Sequence, residues 1–99
     1  MDETAETVAE AWLVVVELAR LSPGDISIRM FQDHPPPHLH AVKDDLQLVV
    51  DIEGLSIIAG TLPRPLQKTV MKFARDNQQE LLEAWATYTK GETPDRLDR

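Results

Sequence analysis

Apolar residues recur at helical spacing near the start of the chain. Between Thr4 and Leu21 they form one stripe of a helix: Val8, Trp12, Val15, Val16 and Ala19. Thr7 and Glu10 stand three residues apart in a capping-box pattern, which favours a helix start. The β-branched run Val14–Val16 favours a strand instead, because such side chains lose rotamer freedom in a helix. We predict an N-terminal helix that ends at the Pro-Gly turn signal of residues 22–25.

The middle of the chain contains four short runs typical of β-strands: Ile26–Met30, His38–Lys43, Leu46–Ile52 and Ile57–Leu62. The first of them alternates apolar and polar residues with period two, as half-buried strands do. Two aspartates alone, Asp44 and Asp45, separate the second run from the third, which predicts a hairpin. The register of that hairpin predicts a core face of six residues: Leu39, Ala41, Lys43, Leu46, Leu48 and Val50.

A longer amphipathic pattern runs from about Arg64 to Lys90, and Gly91 is a natural helix stop. Its apolar face consists of Leu66, Val70, Phe73, Leu81, Trp85 and Tyr88. Together the elements predict an α+β fold with an N-terminal helix, a four-stranded antiparallel β-meander and a long C-terminal amphipathic helix packed on one face. We expect a helical extension at residues 1–25, a single α+β domain at 26–91 and a polar, frayed tail at 92–99.

Charge and composition narrow the function classes. Ten Lys and Arg against seventeen Asp and Glu give a formal net charge of −7, which argues against a general binder of nucleic-acid phosphates. The absence of cysteine from the sequence excludes disulfides, thiolate metal sites and a cysteine nucleophile. The acidic first residues do not resemble a secretory signal, and the longest apolar run, residues 11–16, is too short to span a membrane. We therefore expect a cytoplasmic protein.

All three histidines, His34, His38 and His40, lie within seven residues. His38 and His40 point to the same side of their strand, with Cα atoms about 6–7 Å apart, so their imidazoles could share a metal ion. His34 could return across the intervening prolines as a third ligand. The hairpin register sets His38 opposite Asp51, whose carboxylate could orient the imidazole or complete a metal shell. These four residues form a candidate zinc or nickel site.

Three roles stay open for the histidines. They could be structural hydrogen-bonding groups of a Pro-rich turn, they could bind a transition metal or a small anion, or His38 could act as an acid–base catalyst oriented by Asp51. No nucleophile or carboxylate pair lies in a recognisable catalytic motif, so the sequence leans against an enzyme.

A short basic patch interrupts the acidic chain at Arg64, Lys68, Lys72 and Arg75. Such a patch is either a solvated helix face or a contact for an acidic partner. Trp12 is either a core residue or an interface residue of the N-terminal helix. We predict a partner interface that includes Trp12, Arg64, Lys68 and Arg75, with a small protein partner or a second copy as its occupant.

Several separate motifs, in order, resemble a bacterial family known as domain of unknown function 4160. The motifs that carry the resemblance are Asp33-His34, Pro36-Pro37-His38-Leu39-His40, Val50-Asp51-Ile52, Gly60-Thr61-Leu62-Pro63 and Glu80-Leu81-Leu82-Glu83-Ala84-Trp85. The resemblance spans about Ile26 to Arg96, and the stretch before residue 26 departs from the family pattern.

The resemblance implies no established activity. Family members are often encoded beside another small protein, in an arrangement similar to toxin–antitoxin pairs. The leading functional expectation is therefore a small binding or regulatory module that acts through a protein partner, with metal or anion binding at the histidines as the first alternative. A hydrolase or nuclease-type toxin that uses His38 and Asp51 is the second alternative.

Overall fold

A computed structural model describes residues 15–31 and 35–98. Its strands are β1 (Val15–Leu21), β2 (Ile26–Phe31), β3 (His38–Lys43), β4 (Leu46–Asp51) and β5 (Ser56–Gly60), and its helices are α1 (Arg64–Asp76) and α2 (Gln78–Thr89). The strands form one antiparallel sheet in the order β1-β2-β3-β4-β5. Within these residues, neither helix has the length and apolar character that crossing a membrane requires.

The first described strand corrects the predicted N-terminal helix. Residues 15–21 are β1, which pairs with β2 from Val15 opposite Phe31 to Leu21 opposite Ile26, so the sheet has five strands rather than four. Val15 and Val16, two of the β-branched residues that favoured a strand, pair with β2, and this pairing outweighs the helical spacing of the apolar residues. The remainder of the predicted helix, residues 4–14, lies outside the described residues.

The central hairpin has the predicted register, with His38 opposite Asp51, His40 opposite Val49 and Lys43 opposite Leu46. Of the six residues predicted to face the core, four are fully buried: Leu39, Ala41, Leu48 and Val50. Lys43 is only half-buried and Leu46 is exposed, because both flank the two-residue turn that closes the hairpin.

The predicted long C-terminal helix is instead two helices that meet at Asn77. The backbone of Asn77 leaves the helical region, at φ −119° and ψ 24°, and its side-chain amide donates to the Phe73 carbonyl over 3.0 Å. A side chain that bonds the preceding turn in this way competes with the regular helix. The periodicity of the apolar residues continues across the break, which is why it predicts one helix.

The sheet and both helices enclose one hydrophobic core. Its buried residues include Ile26, Ile28 and Met30 of β2, Val70 and Ala74 of α1, and Leu81, Ala84, Trp85 and Tyr88 of α2. The apolar face predicted for the C-terminal segment is therefore largely the face that packs inward.

The polar tail, predicted to fray, is hydrogen-bonded to β1 at Arg96–Asp98, the C-terminal strap. The Leu97 N–H donates to the Leu18 carbonyl over 2.7 Å, and the Asp98 carboxylate accepts from the Arg20 N–H over 2.8 Å. The strap thus covers the outer edge of β1.

Candidate functional site

His38 begins β3 immediately after the Pro-rich turn. The Pro37 carbonyl accepts from the Ile52 N–H over 3.0 Å, so the turn is fixed to the end of β4 although proline has no N–H to donate. The His38 Nδ1 lies 2.7 Å from the Pro36 carbonyl oxygen. Because a carbonyl only accepts, this nitrogen carries the proton, and the lone pair of the neutral ring is on Nε2.

Helix α2 closes over the same imidazole. The Gln78 side-chain amide donates to the carbonyls of Ile52 and Glu53 over 2.9 and 3.1 Å, which ties the start of α2 to the turn after β4. About two helical turns later, the Trp85 ring lies 5.0 Å from the His38 ring, measured between centroids. His38 is consequently only 7% exposed.

His40 lies beside His38 on the same side of β3, as the period of the strand predicts. The centroids of the two imidazoles are 5.3 Å apart, and the His40 ring meets the edge of Phe31 at 4.3 Å. Its Nδ1 lies 3.2 Å from the Gln47 amide oxygen. Two imidazoles that bind one zinc ion through Nε2 in tetrahedral geometry have centroids about 5 Å apart, so this spacing is compatible with a shared metal.

Asp51 lies opposite His38 in the register, and its carboxylate is hydrogen-bonded within the turn that follows β4. Its Oδ1 accepts from the Glu53 N–H over 3.2 Å, and its Oδ2 lies so close to the Cα of Gly54 that a Cβ there would approach it to 2.7 Å. His34 lies outside the described residues. In the two described stretches, 15–31 and 35–98, no three His, Asp or Glu side chains are grouped as a metal site requires.

A polar network that the sequence analysis did not single out joins β1 and β2. Arg29 lies opposite His40 in the register of β2 and β3, and its Nε donates to the Ser27 hydroxyl over 2.9 Å. That hydroxyl donates to the Glu17 carboxylate over 2.5 Å, although Ser27 is only 2% exposed. Partial burial acts to raise the pKa of Glu17, but hydrogen bonds from Ser27 and Arg96 and the charge of Arg20 lower it overall. The alternation of polar residues in β2 is the signal that would have located this network.

The basic patch forms a groove along α1. Its six lining residues share one helical stripe: Arg64, Gln67, Lys68, Met71, Lys72 and Arg75. The groove has a volume of about 420 Å³, and its four cations are exposed while Met71 is half-buried between them. Lys72 pairs with Asp76 at 2.6 Å, and this hydrogen bond lowers the pKa of Asp76. Three predicted interface residues thus come together here, while Trp12 lies outside the described residues.

The model of the family described as "Domain of unknown function (DUF4160)" matches residues 25–86. The chain belongs to the DUF4160 family. The DUF4160 match confirms the resemblance inferred from the motifs, and it contains β2–β5, α1 and most of α2. Both histidines of the pair and the groove on α1 therefore belong to the DUF4160 region, whereas β1 and the C-terminal strap flank it. No curated protein and no solved structure matches the chain.

Proposed function

We propose that this protein is a small protein-binding module that docks an acidic segment of its partner into the groove on α1. The observation that supports the proposal is the concentration of exposed cations there. Helix α1 carries Arg64, Lys68, Lys72 and Arg75 but one acidic residue, Asp76, in a chain of net charge −7.

The groove has the two properties that a protein interface combines. Its charges would steer and orient an acidic partner, since complementary potential raises the association rate and fixes the register. Met71 supplies an apolar floor, and methionine adapts well to a partner side chain. A nucleic acid would meet the same cations, but its many phosphates would be repelled by the acidic remainder of the surface.

The partner proposed is the product of the neighbouring gene, in a pair of the toxin–antitoxin type. The test is co-expression of the two proteins followed by size-exclusion chromatography at micromolar concentration. The double variant Lys68→Glu/Arg75→Glu should weaken the complex at least about tenfold, because it reverses the charge of the groove. The control Lys43→Glu/Lys90→Glu changes the net charge equally at positions outside the groove and should leave the complex intact.

Two outcomes would refute this function. Separate elution of the two wild-type proteins would show that they are not partners. Equal affinity for the wild type and the Lys68→Glu/Arg75→Glu variant would place their contact away from α1.

A second candidate function is binding of zinc or nickel through His38 and His40, favoured by the 5.3 Å between their rings. Calorimetric titration of untagged protein should then show stoichiometric binding that His38→Ala/His40→Ala abolishes. An absence of heat with both metals would make the pair structural. Acid–base catalysis by His38 has less support. The His38 Nδ1 is hydrogen-bonded to the Pro36 carbonyl, and the Asp51 carboxylate accepts from the Glu53 N–H instead of orienting the imidazole.

A further inference from the structure

The two edges of the sheet are treated differently. The outer edge of β1 is bonded by the C-terminal strap, through Leu97 to the Leu18 carbonyl and through Asp98 to the Arg20 N–H. At the other end of the strand order stands β5, whose five residues are all exposed. An edge strand offers a row of backbone donors and acceptors to any strand that can approach it.

The composition of β5 leaves that edge open to pairing. Ser56–Gly60 contains no charged residue and no proline, two of the features that protect an edge from pairing. The ladder with β4 shifts between Val49 and Val50, which makes Ile58 an extra residue on β5. Ile57 is 42% exposed and Ile58 is 52% exposed, so two large apolar side chains lie in succession at the edge.

We propose that β5 is a homodimer interface, at which the β5 strands of two copies pair antiparallel and join two sheets into one. Charge argues for a second copy as the occupant. In a protein of net charge −7, two copies repel each other over most of their surface, and a neutral strand lets them meet without opposing like charges. An acidic partner of the kind proposed for α1 would find no cation on β5 to pair with.

Symmetry supports the same occupant. A two-fold axis through Ile58 would place the two Ile58 side chains together and set Ile57 of each copy beside Ala59 of the other. Each strand thereby supplies the apolar partners that the other lacks, and small Ala59 leaves space for the isoleucine. The proposal is independent of the groove on α1, where two copies would set cations against cations.

The test is sedimentation equilibrium of the full chain up to about 100 μM. The wild type should reach twice the monomer mass of 11.2 kDa. Ile58→Lys, which places a charge at the axis, should remain monomeric. Val15→Lys is the matched control, because it changes an exposed apolar residue of β1 in the same way and should still dimerise. Lys68→Glu/Arg75→Glu should dimerise as well, which separates this interface from the proposed groove.

Hydrogen exchange gives a second measurement that needs no variant. The amides of Ser56–Gly60 should exchange more slowly at about 100 μM than at about 1 μM, while those of β1 should not change with concentration. A wild type that stays monomeric at about 100 μM overturns the proposal. A dimer that survives Ile58→Lys, with no concentration dependence at β5, also overturns it.

Discussion

At the start of β3, one imidazole joins three separate parts of the chain. The ring of His38 contacts the Pro-rich turn through Pro36, the strand neighbour His40, and helix α2 through Trp85. A buried polar ring is tolerated only when its N–H is bonded, and here the bond is to a carbonyl two residues away. His38 therefore stabilises the fold whether or not its other nitrogen binds a ligand.

Replacing His38 should measure that contribution. His38→Ala removes the bond to Pro36 and leaves a cavity against Trp85, so we expect the free energy of unfolding to fall by about 2 kcal/mol. His40→Ala removes a half-buried ring and should cost about 1 kcal/mol. Urea denaturation followed by tryptophan fluorescence gives both values. Equal stability of wild type and His38→Ala would show that the ring does not hold α2 against the turn.

Some elements of the fold are determined by neighbouring residues in the sequence, and others by contacts with distant parts of the chain. The hairpin of β3 and β4, its two-residue turn and the positions of His38 and Asp51 follow from period-two alternation, which is read from adjacent residues. The strand state of β1 depends on the edge of β2, which lies beyond any short window of sequence, so helical spacing misled the prediction. The contact of Trp85 with His38 likewise depends on how α2 packs, and only its burial could be predicted.

Gly60, at the end of β5, lies against the backbone of β4, so a substitution there measures how rigid this part of the sheet is. Gly60 has φ +77°, and a Cβ there would collide with the Gln47 carbonyl oxygen of β4. Gly60→Ala should therefore lower the free energy of unfolding by about 2 kcal/mol or more. Gly91 has φ +90° but open space around it, so Gly91→Ala should cost only about 1 kcal/mol. Similar losses in thermal or urea denaturation of the two variants would show that β4 moves to relieve the collision.

At the scale of the whole molecule, the segments that flank the DUF4160 region close one edge of the sheet. The family match begins at residue 25, so β1 is added beside β2, and the C-terminal strap covers β1 in turn. One ion pair joins the strap to β1, since Arg96 contacts Glu17 at 2.7 Å. A second, between Arg96 and Asp98 at 2.9 Å, lies within the strap. The opposite edge, β5, has no such addition among the described residues.

The strap should make stability depend on acid pH. Hydrogen bonds from Arg96 and from the Arg20 N–H lower the pKa of Asp98 from its ordinary 3.8 to about 2. Because the folded state has the lower pKa, the ionised carboxylate stabilises it above about pH 4, and this contribution is lost as the pH falls through about 2. Asp98→Asn should therefore lower the melting temperature at pH 7, with a difference from wild type that shrinks below pH 4.

Asp95→Asn is the control, because Asp95 is an exposed carboxylate of the same tail. It should leave the melting temperature at pH 7 close to that of wild type. A difference between wild type and Asp98→Asn that stays constant down to pH 2.5 would show that the charge of Asp98 does not hold the strap.

The strap also sets an order in time. Arg96 follows its partner Glu17 by 79 residues, so at a synthesis rate of about 5–20 residues per second the ribosome adds it about 4–16 s later. Once β2 has been synthesised, β1 can pair with it, yet the strap that covers the outer edge of β1 has still to be made. During synthesis, the outer edge of β1 is therefore the edge that can mispair with neighbouring nascent chains on a polysome, although the strap protects it in the finished protein. Slower translation would lengthen the time for which this edge is uncovered.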